Sequence, residues 1–386
     1  MKATNSNIKK AIQTILKKQI PGKLWIIDEM VSNLENLQIK DCSKGCDNLV
    51  YLVSLKNENN NIKNGDDNND NDNDNDNDEE KIIIRIPKLL GDEDCPIMHT
   101  PKMQAELLKV LNEMKFNEID IMVPNLLSYD DQFVIESYIP SQDLSEVFSK
   151  PSQMNDTQIK QVFTKIGTIL KRIHSKSTPS ASYGSLKNVQ LQGSLSNWND
   201  YFEIDFIKQF DTMEINIEII NNYNNNNNNN NNKFKDREEV INRLKGFYYG
   251  DVKKYLLEFN KPTLVHADLC SNNIRINKCK NKNNNNDDIK VTGIIDFADS
   301  ISGDGLYDIG RILSHVYGDW RFIDAIEIGY CENSSPFNQT QLKMIIFYAL
   351  SFCCWLLDIS DTEDDIIKYN QILSSLLNHY KNKINK

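Results

Sequence analysis

Short apolar runs dominate the first third of the chain, and helical periodicity takes over after it. Residues 34–39 and 49–55 read as strands joined by residues 40–48, and residues 81–86 (KIIIRI) read as a third strand. Met103, Leu107, Leu108 and Leu111 recur at helical spacing across residues 100–114, and residues 133–139 form a further strand leading into Pro140. Residues 1–139 read β-β-β-α-β-β, with residues 133–139 as the last strand, preceded by an amphipathic stretch with Ile8, Ala11, Ile12, Ile15 and Leu16 on one face. Beyond Pro140 the pattern is mainly helical. Ile159, Val162, Phe163, Ile166, Ile169, Leu170 and Ile173 line one face of residues 156–175, and residues 238–259 form a second amphipathic stretch. Residues 344–357, MIIFYALSFCCWLL, carry no charge, yet these 14 residues fall short of the roughly 20 that span a bilayer. They read as a buried helix, and no membrane segment is expected.

Three polar tracts interrupt this pattern: residues 57–80, 221–232 and 281–288. The first alternates Asn and Asp, the second is almost pure Asn, and the third is a shorter tract rich in Asn and Asp. None holds enough apolar surface to offset the entropy of ordering, so all three are expected to be disordered insertions. They also explain the charge. Residues 66–80 contain nine acids and no base, which accounts for nine of the chain's eleven net negative charges. No basic stripe or aromatic RNA motif appears, so nucleic-acid binding is not expected. The chain as a whole, with 15 Phe and 15 Tyr, suffices for a sizeable core. Eight irregularly spaced Cys form no disulfide framework, and no second pair completes a zinc set with Cys42 and Cys46. The first 20 residues lack a continuous apolar core and Arg, so the cytoplasm is the expected compartment.

Chemistry concentrates in residues 264–312. His266, Asp268 and Asn273 form H-x-D-x-x-x-x-N after the apolar residues Leu264 and Val265. Asp296 closes the apolar run Ile294-Ile295-Asp296-Phe297. Residues 274–276 and 289–295 read as a hairpin whose extension is residues 278–288, which brings Asn273 and Asp296 to the ends of paired strands. One carboxylate that orients a hydroxyl, with an Asn and a second carboxylate on Mg²⁺, is the arrangement phosphoryl transfer uses.

With Tyr307-Asp308 following, these elements resemble the aminoglycoside phosphotransferase and choline kinase-like small-molecule kinases. The family's wording is nearer H-G-D-x-x-x-x-N, I-D-F and Y-D. Ala267 and Ala298 depart from frequent glycines, and residues 43–48 hold one Gly where a full Gly-rich loop has several. The resemblance implies an α+β, bilobal protein-kinase-like fold, with a small antiparallel-sheet nucleotide-binding lobe over residues 1–139. Residues 140–386 would form a larger, mainly helical lobe for catalysis and acceptor binding.

The resemblance also implies roles. Asp268 would be the catalytic carboxylate, and Asn273 and Asp296 would hold Mg²⁺. Arg85, paired with Glu106, would hold the ATP phosphates; Gly45 and Asn48 would form the phosphate turn; Glu136 and Tyr138 would meet adenine through their backbone. His266 would orient the loop. Asp308 either bonds that loop or caps its own helix. His174 reads as a packing residue. Residues 198–210 either wall an acceptor pocket suited to an amine-bearing substrate or belong to the core. The implied activity is ATP-dependent phosphorylation of a hydroxyl on a small molecule. An inert nucleotide-binding or scaffold protein is the alternative, which retention of Asp268, Asn273 and Asp296 disfavours. A protein kinase fits less well, because no A-P-E sequence follows Asp296.

Overall fold

The computed structural model describes residues 5–17, 25–43, 48–55, 81–87, 100–227, 233–280, 287–332 and 334–381. The chain divides into two compact units, Met1–Lys109 with Pro124–Ile139, and Val110–Val123 with Pro140–Lys386.

The first unit holds α1 (Asn5–Lys17), α2 (Trp25–Ser32), β1 (Leu37–Asp41), β2 (Asn48–Leu55), β3 (Lys81–Pro87), the start of α3 (Pro101–Glu113), β4 (Leu126–Tyr129) and β5 (Val134–Ser137). Its five-stranded sheet runs β1-β2-β3-β5-β4, antiparallel throughout. Alternate residues of the strands point one way, so Tyr51, Val53, Ile82, Ile84 and Ile135 share one buried face. Ile12, Leu16, Ile27 and Met30 pack onto that face. The apolar stripe near the N-terminus is therefore core. The expected first strand starts later than its pattern suggests, because residues 34–36 form a 3₁₀ turn.

Residues 110–123 group with the second unit, although the sequence pattern joins them to residues 1–139. Their backbone explains this. Arg172 Nη1 donates to the carbonyls of Met114 and Lys115 at 3.1 and 3.2 Å, Lys165 donates to that of Ile119, and Met122 N donates to Thr292 O at 2.8 Å.

The second unit continues with β6 (Gln142–Asp143), α4 (Leu144–Val147), α5 (Asp156–His174), β7 (Tyr183–Leu186), β8 (Gly193–Leu195), α6 (Asp200–Thr212) and α7 (Ile217–Asn226). Then come α8 (Arg237–Phe247), a π-helical turn at Tyr248–Val252, α9 (Lys253–Glu258), β9 (Thr263–Val265), β10 (Ile274–Lys280), β11 (Asp287–Ile294) and β12 (Ile301–Gly303). Four helices end it: α10 (Leu306–His315), α11 (Trp320–Cys331), α12 (Gln339–Ile359) and α13 (Glu363–His379). Two small sheets, β11-β10-β6 and β8-β7-β12-β9, carry the loops that matter for chemistry. α5 and α11 approach closely because Gly167 and Gly329 lack side chains; a Cβ at Gly329 would stand 1.9 Å from the Thr164 carbonyl oxygen. α12 is the helix among the described residues long and apolar enough to cross a membrane, and most of its apolar window is buried inside the protein.

Two polar tracts are more ordered than composition suggests. Residues 221–226 continue α7, whose first turns carry Ile219 and Ile220, and Asn224 is fully buried. Its Oδ1 accepts from Ser374 Oγ at 2.9 Å and Asn378 Nδ2 at 2.7 Å. Asn221 holds Phe234 by two backbone bonds of 2.9 Å. A buried Asn with satisfied hydrogen bonds costs little, and this is what composition cannot show. Asp287 and Asp288 are likewise strand residues, paired with Lys280 and Cys279 across the hairpin. Residues 57–80, 228–232 and 281–286 lie outside the described residues.

Candidate active site

The loop between β9 and β10 carries Asp268 and Asn273. Asn273 Nδ2 donates to the Asp268 carbonyl at 2.8 Å and to its Oδ2 at 3.0 Å. Both partners are acceptors, which fixes the amide orientation and makes Oδ1 the other face of Asn273. Ile295 N donates to the Asn273 carbonyl at 3.0 Å, so the residue before Asp296 is tied directly to this loop. Asp296 itself has φ +63°, a left-handed turn that ends the strand run.

His266 lies beneath the loop, fully buried. Its Nδ1 accepts from Asp268 N at 3.2 Å, so Nε2 carries the proton and donates to Ile295 O at 3.1 Å. Its ring packs 4.5 Å from that of Phe297. The imidazole thus joins the two segments as a structural bridge.

Asp308 settles between its two readings. It sits inside α10 while Asp304 accepts from Leu306 N at the helix start. The Asp308 carboxylate accepts from His266 N at 2.9 Å and Ala267 N at 2.7 Å. His174 Nε2 bonds it at 2.9 Å, with Tyr330 Oη 3.0 Å from Nδ1 on the other side of the ring. Burial pushes the Asp308 carboxyl up, but the His174 and His266 interactions outweigh it and hold the carboxyl below its ordinary value. His174 is therefore more than packing. Only the C-terminal position of His174 on an apolar helix hinted at such a role.

Burial pushes the Asp268 carboxyl up and the charge of Asp296 adds to this, against the pull of Arg311 and His266. Arg311 Nη2 lies 3.1 Å from Asp268 Oδ1. Sequence reasoning missed this contact, although Arg311 falls three residues after Asp308 and so shares its helix face. The nearby Cys270 thiol is pushed up to about 11, chiefly by burial and then by the charge of Asp268.

The aromatic residues after 198 belong mostly to the core. Trp198, Phe202, Phe206 and Phe210 are buried, and Trp198 Nε1 donates to Tyr348 Oη at 2.8 Å. Tyr348 and Tyr255 donate in turn to Asp304, at 2.9 and 3.0 Å. Glu203 is paired with Lys253.

The phosphotransferase enzyme family profile matches residues 98–344, well over half of the chain. The chain belongs to that family. No curated protein matches it in sequence. Among solved structures, a thermostable mutant of aminoglycoside phosphotransferase APH(4)-Ia, in ternary complex with ADP and hygromycin B, aligns with a TM-score of 0.50 at 12% identity. The alignment covers 88% of this chain and 93% of that one. The ethanolamine kinase of Plasmodium vivax aligns at 0.49 and 12% identity over 96% and 88%, and APH(2")-IIa with streptomycin and ATP at 0.45 and 14% over 92% and 96%. This phosphotransferase family member thus has the protein-kinase-like α+β fold.

In its smaller unit, the expected pairing is replaced. Arg85 Nε donates to Glu136 Oε1 at 2.8 Å, whereas Glu106 meets Lys109 at 2.6 Å. The register explains the exchange. β3 and β5 are hydrogen-bonded neighbours with Ile83 opposite Glu136, which puts Glu136 two residues diagonally from Arg85 on the same face. Glu136 is buried, so its side chain is engaged as well as its backbone. Asn48 opens β2, buried, opposite Pro87. Tyr138 follows β5, with Lys81 Nζ 5.9 Å from its ring centroid. Gly45 lies outside the described residues.

Proposed function

We propose that this family member is an ATP-dependent kinase for a hydroxyl group on a small molecule. The observation that carries this reading is the joined set of Asp268, Asn273 and Asp296. One amide bridges Asn273 to both oxygen-bearing groups of Asp268, and one backbone bond ties the Asp296 segment to Asn273. Asp268 would orient the acceptor hydroxyl and take its proton late in transfer. Burial that raises the carboxyl makes it a better proton acceptor once ionised. Arg85, held by Glu136, is the candidate for the nucleotide phosphates, because its planar fork suits them. The ADP bound in the APH(4)-Ia complex supports a nucleotide ligand here.

The donor set fits Mg²⁺. Among the described residues no cluster of three or more His, Cys, Asp or Glu side chains is placed for a metal. Mg²⁺ takes one or two protein oxygen donors with substrate phosphates and water, which Asn273 and Asp296 would satisfy. When bound it would neutralise charge developing on the phosphates.

The test is nucleotide consumption by the wild type and by Asp268→Asn, Asn273→Ala and Asp296→Ala, across sugars, amino sugars, amino alcohols and hydroxy-amino acids. Loss of turnover by roughly 10²–10⁴ with unchanged circular dichroism is expected. Undiminished turnover in Asp296→Ala would sink the reading.

A further inference from the structure

We propose that Arg311 is a positioning residue for this transfer: it holds Oδ1 of Asp268 and so sets the plane in which the carboxylate meets the acceptor hydroxyl. The proposal rests on the kinase reading above.

Helical geometry supplies the arrangement. Asp308 and Arg311 stand three apart on α10 and face the same way. Asp308 takes the amides of His266 and Ala267, and Arg311 Nη2 takes the Asp268 side chain at 3.1 Å. Three consecutive loop residues are thus gripped from one helix face. Asn273 Nδ2 claims Oδ2 of the same carboxylate at 3.0 Å. With its two oxygens held by donors from separate segments, the carboxylate has no free rotation about its terminal bond.

The guanidinium is itself locked. Its central carbon lies 3.6 Å from the Phe352 ring centroid, its Nη1 is 3.5 Å from Tyr307 Oη, and the side chain is 15% exposed. An exposed ion pair holding two mobile side chains contributes little, but this one is stacked and largely buried. A stability role alone explains it poorly. Arg311 Nε is buried without a hydrogen-bond partner, a defect that an apolar side chain of similar length would avoid. Keeping the charge there serves Asp268. Lys could keep the charge but not the planar stack.

The experiment compares wild type, Arg311→Met and Arg311→Lys for kcat, acceptor KM, nucleotide affinity and melting temperature, and solves the Arg311→Met crystal structure. Positioning predicts a kcat lower by on the order of 100-fold in Arg311→Met, with nucleotide affinity unchanged. Arg311→Lys should recover only part of that loss, and added guanidinium ion should restore activity to Arg311→Met. Asp268 should turn away from its present position in the crystal while its Asn273 contact persists. Wild-type kcat in either variant overturns the proposal, as does parallel loss of kcat and nucleotide affinity. If Arg311→Met does not fold, Arg311→Lys decides alone by the same criteria. A wild type that transfers no phosphoryl group would sink the kinase reading instead. The position of Asp268 in the variant would still decide whether Arg311 sets it.

Discussion

Asp308 Oδ1 accepts the amide of Ala267 at 2.7 Å while Ala267 stands at φ +65°, so a buried carboxylate stabilises a left-handed backbone that alanine disfavours. The family's frequent glycine at this position has a physical reason. The left-handed region costs an L-residue about 1–2 kcal/mol, and Gly avoids it at an unfolded-state cost of about 0.4–1 kcal/mol. Ala267→Gly should therefore stabilise the protein by roughly 0.5–1 kcal/mol in chemical denaturation. Asp308→Asn, which leaves one acceptor oxygen for three donors, should destabilise it by about 3 kcal/mol.

Gly305 gives His174 its room. A Cβ there would stand 2.4 Å from His174 Nδ1, and an imidazole ring cannot flex away as a long side chain would. Gly305→Ala should cost about 1–3 kcal/mol as an overpacking change. It should also lower kcat more than nucleotide affinity, because displacement of His174 reaches the catalytic loop through Asp308. Equal losses in both would refute that path.

The Arg85 partner is open to a double-mutant cycle. Both side chains of the Arg85–Glu136 pair are nearly buried, at 11% and 5% exposure, so Arg85→Ala with Glu136→Ala should show a coupling of about 1–3 kcal/mol in stability. The cycle with Glu106→Ala should give roughly 0.5 kcal/mol or less. A strong Arg85–Glu106 coupling would contradict the arrangement described.

His315 predicts a pH dependence. Burial lowers its pKa from 6.5 to about 3, and the charges of Arg311 on its own helix and Lys368 on α13 add to this. Below pH 6.5 the unfolded chain takes up a proton that the folded protein refuses. Its contribution is thus present in full above pH 6.5 and falls by about 1.4 kcal/mol per pH unit as pH drops toward 3. In urea melts across that window, His315→Leu should lose this part of the slope. Identical slopes would show that the imidazole titrates freely.

The strands and long helices were legible because each carries one dominant period: alternation in residues 81–86, and threes and fours in residues 156–175. The loop chemistry was legible because Asp268 and Asp296 adjoin apolar runs and cannot be mistaken for members of an Asn tract. Partnerships across the sequence were not. Glu136 or Glu106 could each meet Arg85 by pattern alone, and only strand register chooses. Arg311 carried a helical-spacing signal, but nothing in a linear pattern aims a side chain at a residue 43 positions earlier. The wall of aromatics after residue 198 was ambiguous for the opposite reason, since a core helix and a ligand pocket use the same residue types.

The burial of Asn224 inside a near-homopolymer also bears on how such a run can change length. Adding an asparagine after Tyr223, or removing one, leaves an asparagine at that position, so its bonds to Ser374 and Asn378 can persist. A single asparagine inserted before Tyr223 would instead turn the helix by roughly 100° and put the tyrosine ring where the amide belongs. One added residue is thus buffered on one side of a single aromatic and not on the other.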